Sequence, residues 1–142
     1  MRTILILTVA GLAAGCMATP QQQARAERDE AAAVLAADGR TFGDGARVTG
    51  PARSCVPLPQ IRQSRVRSDR VIDFSTGAGR QGYRVVLDRP CPQLGFEQRF
   101  SYATSLSQLC QQDIITVLQQ TPVMRGASCG LAPFVPVELP RR

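Results

Sequence analysis

Seventeen arginines, eleven acidic residues and five cysteines hold nearly all the reactive potential of this 142-residue chain. Histidine is absent, which removes imidazole bases, imidazole metal ligands and both the Ser-His-Asp and Cys-His arrangements. Asp69, Asp73, Asp88, Glu97, Asp113 and Glu138 are the carboxylates of the patterned region. Two of them could form the acid and base of a glycoside hydrolase, but no spacing marks a pair. Ser54 and Ser128 each precede a cysteine, outside any nucleophile-elbow pattern. Gly77-Ala78-Gly79-Arg80-Gln81-Gly82 matches G-x-G-x-x-G letter for letter. A dinucleotide loop must lead from a strand into a helix. Here the strand-like YRVVL follows, so the segment reads as a hairpin loop. Arg62, Arg65, Arg67 and Arg70 crowd IRQSRVRSDR. They could grip the phosphates of lipopolysaccharide or phospholipid, or form a solvated face partly neutralised by Asp69 and Asp73. Nucleic acid is not expected, because stacking aromatics are not interleaved with them.

Cys16 stands apart from the other cysteines. It closes MRTILILTVAGLAAGC, in which Arg2 and the apolar run Ile4–Ala14 have the layout of a signal peptide. The run falls short of the roughly 20 apolar residues that span a bilayer. LAAGC is similar to the bacterial lipobox, whose cysteine takes a diacylglyceryl group and becomes the first residue after cleavage. Leu12 lies one place further from the cysteine than in the commonest form. The alternative is an ordinary secretory signal cut after Ala14 or Ala18. Acyl chains contribute about 0.8 kcal/mol per buried methylene, so two or three of them anchor stably. Met17 after the cysteine favours the outer membrane under the enterobacterial sorting pattern. The expected location is therefore the bacterial cell envelope, facing the periplasm.

Cys55, Cys91, Cys110 and Cys129 remain, an even number that reads as two disulfides in an exported domain. A four-thiolate zinc site would favour close Cys-x2-Cys pairs, and none is present. Cys55 opens the patterned region and Cys129 precedes its last segment. The nested map Cys55–Cys129 and Cys91–Cys110 is therefore expected over the other two connectivities. No metal or cofactor is expected.

These residues need a frame to position them. Residues 1–15 are assigned to the signal peptide, 16–53 to a lipidated tether with helix and linker, and 54–142 to a small disulfide-paired domain. QQQARAERDEAAAVLAA is rich in helix formers, with a thin apolar stripe of Ala24, Val34 and Leu35. Asp38-Gly39 should end it, and the glycines of Thr41–Arg53 read as a linker. From Cys55 onward the apolar period is two, in RVIDFST, YRVVL, LGFEQRFSYAT and the segment from Leu131 to Leu139. Leu106–Gln119 fits a strand or a helix. Pro133, Pro136 and Pro140 place the last segment at a sheet edge. The fold class is mainly β: a small antiparallel sheet, sandwich or barrel behind an N-terminal helical tether. With 5% aromatic residues and no tryptophan, its core should be aliphatic and modest.

Gly39-Arg40, SCVPL, IRQSRVRSDRVIDF, YRVVL, RPCPQL, RFSYATSLSQLCQQDIITVL and SCGLAPFVPVEL occur in this order. In this the chain resembles a family of small exported proteobacterial proteins, common in alphaproteobacteria and often lipidated, catalogued as a domain of unknown function. The resemblance implies an exported, disulfide-paired protein and carries over no catalytic residues. The expected function is that of a lipid-anchored, non-enzymatic binding or structural module, its partners the membrane and an envelope protein or anionic lipid. An anion binder using the arginine cluster is the alternative, and a carboxylate-based hydrolase a weaker one.

Overall fold

A computed structural model describes residues 18–104, 106–120 and 124–140. Cys16 and the segment before it lie outside the described residues. Thr19 caps the first helix, α1 (Pro20–Ala37), in a reciprocal box: its hydroxyl accepts from the Gln22 N–H, and Gln22 Oε1 accepts from the Thr19 N–H at 2.8 Å. Pro20 sits in the first turn, where a backbone N–H has no helical acceptor. Asp38 ends this helix and caps the short α2 (Gly39–Phe42), its Oδ1 accepting from the Arg40 N–H. Ala37 is buried and Ala33 and Val34 pack beside it, whereas Leu35 is 72% exposed. The helix therefore meets the domain through its last turns, at Ala33, Val34 and Ala37, while residues 20–32 and Leu35 are exposed.

The strands follow in chain order. β1 (Arg47–Val48), β2 (Cys55–Pro57), β3 (Gln63–Val66), β4 (Val71–Ser75) and β5 (Gln81–Val86) precede a single helical turn, α3 (Leu94–Glu97). β6 (Phe100–Tyr102), β7 (Gln108–Cys110), β8 (Ile114–Gln119), β9 (Met124–Gly130) and β10 (Val135–Glu138) complete the set. They form three antiparallel sheets, in the orders β1-β10-β5-β4-β3, β2-β7 and β6-β8-β9. The mainly β class holds, with open sheets.

Both faces of the five-stranded sheet are covered. Ile72, Phe74, Tyr83, Val85 and Phe134 point inward to the two smaller sheets, which contribute Val56, Leu109, Ile115 and Val117. On the outer face, Val86, Val135 and Val137 lie under Ala33, Val34 and Ala37 of α1. The inner core is mostly aliphatic, as expected, around a small aromatic centre. Phe74 stacks near Phe134 (5.7 Å between centroids) and edge-on to Phe100 (6.3 Å), and Phe74 and Phe134 are fully buried.

Three further expectations change, and one open alternative is decided in favour of strands. The segment Thr41–Arg53, read as linker, supplies β1, and Arg53 exchanges two backbone hydrogen bonds with Phe134 at 2.8 Å. β10 lies inside the sheet, not at its edge, because Pro136 turns its backbone toward β1, where its carbonyl accepts from Thr49. Its missing N–H thus falls on the side where pairing is only beginning, and costs β5 no bond. The strand expected from Phe96 shortens to β6, since positive φ at Gln93 and Gln98 brackets α3 and leaves Phe96 86% exposed. Leu106–Gln119 resolves into β7, a turn and β8: Asp113 bends the chain, its side chain accepting from Cys110 N–H at 2.7 Å.

Both disulfides form, with a different map. Cys55 faces Cys110 across the β2–β7 ladder and bonds to it, while Cys91 bonds to Cys129 of β9. The nested map fails because β2 pairs with β7 rather than with the last strand. The first bridge staples the two strands of the smallest sheet to each other, and the second ties the turn after β5 to the three-stranded sheet.

Candidate functional site

Two charged assemblies lie on the large sheet. The first is buried. The hairpin register sets Asp73 of β4 opposite Arg84 of β5, both on the outer face beneath the helices. Arg84 is 0% exposed and uses all five guanidinium N–H donors. Nε and Nη2 bond Asp73 at 2.7 and 3.0 Å, Nη2 and Nη1 bond Asp44 at 2.5 and 3.3 Å, and Nη1 reaches the Ala37 carbonyl at 3.5 Å. Phe42 lies over the guanidinium carbon at 5.3 Å. Arg67 Nε donates to the second Asp73 oxygen at 2.8 Å, so two cations meet two anions.

Burial opposes the charge on Arg84, but hydrogen bonds and attraction from Asp73 and Asp44 outweigh it and raise its pKa above the ordinary value. Burial also pushes Asp44 upward; hydrogen bonds from Arg84 and the Ala46 N–H, with the charges of Arg84 and Arg67, overcome this and hold it below the usual value. The assembly bolts the end of α1 and the α2–β1 loop onto the sheet. Its groups are mutually saturated, which suits structure rather than chemistry.

The second assembly opens to solvent. A groove of about 690 Å³ runs between the Thr49–Arg53 segment, the Pro59–Arg62 turn and the hairpin from Thr76 to Gly82. Arg53 and Arg62 stand on its walls, and none of its lining residues is acidic. Tyr83 forms the floor, 8% exposed, with its hydroxyl between Arg53 Nη1 and Gln60 Oε1 at 3.5 Å each. Arg53 lies 5.9 Å over the same ring. The G-x-G-x-x-G segment is the hairpin rim, joining β4 to β5 with positive φ at Gly77 and Gly79, as expected of a loop.

The four clustered arginines do not share one patch. Arg65 and Arg67 line a shallow outer hollow with Asp73 and Leu139. Arg70 bends back to the Leu87 and Asp88 carbonyls, with Nε 3.0 Å from the first. Only Arg62 enters the groove. The expected cluster is split because β3 puts neighbouring side chains on opposite faces and Arg67–Arg70 turns away at the hairpin end. Arg53 and Tyr83 were not singled out by sequence reasoning, since their meeting depends on the Arg53–Phe134 bridge.

The candidate carboxylates are mostly engaged. Asp69 accepts from Gly95 N–H, Asp113 from Cys110 N–H and Glu97 from Gln120 N–H, while Glu138 pairs with Arg47 and Arg80. Asp88 is exposed. Among the described residues no group of acids or cysteines is arranged to hold a metal ion, and no helix is long and apolar enough to cross a membrane. Comparison with family models, with curated proteins and with solved structures finds no match.

Proposed function

We propose that this chain is a lipid-anchored protein of the bacterial envelope, attached at Cys16 and facing the periplasm, which acts as a non-enzymatic binding module. One observation carries the binding half of this reading. Asp69, Asp73, Glu97, Asp113 and Glu138 already serve backbone amides or arginines of the fold, whereas the groove presents arginine, amide and hydroxyl donors to solvent with no acid among its lining residues. Such a surface holds a ligand without a proton relay. The lipobox-like LAAGC and the resemblance to exported, often lipidated proteins support the anchored half. So does the pairing of the four remaining cysteines, which suits an oxidising compartment. α1 begins at Pro20, close behind Cys16, so an acyl group there would keep the domain beside the bilayer.

Fractionation tests the anchor. The wild type should sediment with membranes and incorporate labelled palmitate; Cys16→Ser should do neither. Equal labelling of both would refute it.

A further inference from the structure

We propose that the groove between the Thr49–Arg53 segment and the β4–β5 hairpin is an anion site for a phosphate group, with Arg53 and Arg62 as its two cationic walls. This deepens the binding-module reading and rests on it, but it does not depend on Cys16.

Three observations converge. The first is charge. Arg53 and Arg62 form no ion pair among the described residues, while the other groove-lining residues are neutral. Two unneutralised guanidinium groups facing one concavity repel each other, and a shared anion relieves that repulsion.

The second is preorganisation. Arg53 has its backbone fixed by the double bond to Phe134, and Tyr83 engages its guanidinium from below. Arg62 has its N–H on the Ser75 carbonyl at 2.8 Å. Its stem lies where a side chain at Gly77 would otherwise be: a Cβ there would stand 2.9 Å from Arg62 Cγ, and φ at that position is +73°. Gly77 therefore serves both the turn and the seat of Arg62. The Arg53 guanidinium is thus seated on Tyr83 and the stem of Arg62 is placed at the groove wall, and planar guanidinium groups suit the oxygens of a tetrahedral anion.

The third is the remaining lining. Gln60, Gln81, Thr49 and Thr76 add amide and hydroxyl groups around the cations, and the volume exceeds that of a bare phosphate. The ligand is therefore a phosphate carried on a polar body, either a soluble phosphate monoester or an anionic lipid headgroup.

The full chain in neutral detergent is titrated with inorganic phosphate and with glycerol 3-phosphate, followed by the backbone amide signals of Arg53, Arg62 and Tyr83. A third arm adds phosphatidylglycerol to the same micelles, with phosphatidylcholine as control. Saturable shifts at the three residues in any phosphate arm, absent with phosphatidylcholine, are expected. Response to the soluble esters alone assigns a soluble ligand, and response to phosphatidylglycerol alone assigns a headgroup. Arg53→Gln and Arg62→Gln should each weaken binding roughly tenfold, in keeping with a charge-assisted hydrogen bond. Arg65→Gln, outside the groove, should leave it unchanged. Tyr83→Phe keeps the floor and frees Arg53, and should weaken binding severalfold without unfolding the chain. No shift in any arm, or binding unmoved by both groove variants while folded, overturns the site. Release of inorganic phosphate from glycerol 3-phosphate would instead keep the site and refute the non-enzymatic reading.

Discussion

Arg84→Met removes the cation at the centre of the buried assembly while keeping a side chain of similar length. Asp73, 2% exposed, would then keep only Arg67, and Asp44 would lose both guanidinium contacts. The Ala37 carbonyl would lose its side-chain donor as well. Removing one partner of a buried ion pair typically costs about 3–5 kcal/mol, because the remaining charge stays desolvated and uncompensated. With a urea dependence of about 1.5 kcal/mol per molar, the unfolding midpoint should fall by roughly 2–3 M. The companion is Arg84→Met combined with Asp73→Leu, which removes the buried anion too. It should be less destabilised than the sum of the two single variants by more than about 1 kcal/mol, since the stranded charge has gone. Urea titration with both disulfides intact, read by far-ultraviolet circular dichroism, measures all four proteins. A loss below about 1 kcal/mol for Arg84→Met, or strict additivity in the cycle, would refute the claim that these charges are coupled and buried.

Other outcomes follow from the same contacts. Non-reducing peptide mapping should give Cys55–Cys110 and Cys91–Cys129 as the main species. Each bridge closes a loop worth about 4 kcal/mol by chain entropy, so Cys91→Ser with Cys129→Ser should lower the melting temperature sharply. Gly39→Ala would drive a Cβ into the backbone of Ala46 and push away the loop that carries Asp44; a loss above roughly 2 kcal/mol in urea titration is expected. Asp44, with its carboxyl held below the ordinary range, contributes stability that is complete above the unfolded-state value near pH 4 and is lost as pH falls through the lower folded value. Asp44→Asn should therefore flatten the acid limb of a stability-against-pH curve, and an unchanged limb would remove Asp44 from the account.

The sequence was readable wherever structure is local. The Pro20–Ala37 helix, the β4–β5 hairpin with its glycine turn and the alternation of Ile72, Phe74, Tyr83 and Val85 all follow from nearby residues. Long-range pairing was not readable in this way. Cys55 finds Cys110 only because β2 and β7 meet across more than fifty intervening residues, and neither strand is long enough to advertise its partner. Arg84 alternates with Tyr83 and Val85 in YRVVL, and a helix covering the face it occupies is invisible to strand periodicity. A signal was nonetheless present: the hairpin turn sets Asp73 opposite Arg84, two opposite charges at the centres of apolar strands. The groove was hidden for a different reason. Arg53 lay in a glycine-rich stretch that reads as linker, and its backbone bridge to Phe134 depends on the position of β10.

The anchored, periplasm-facing module stands or falls most directly on the chemistry of one residue. Mass spectrometry of the mature N-terminal peptide from isolated membranes should show a chain beginning at Cys16, with two or three acyl chains on its diacylglyceryl-cysteine. An unmodified peptide beginning after Ala14 or Ala18, or a chain still carrying Arg2–Gly15, would contradict it.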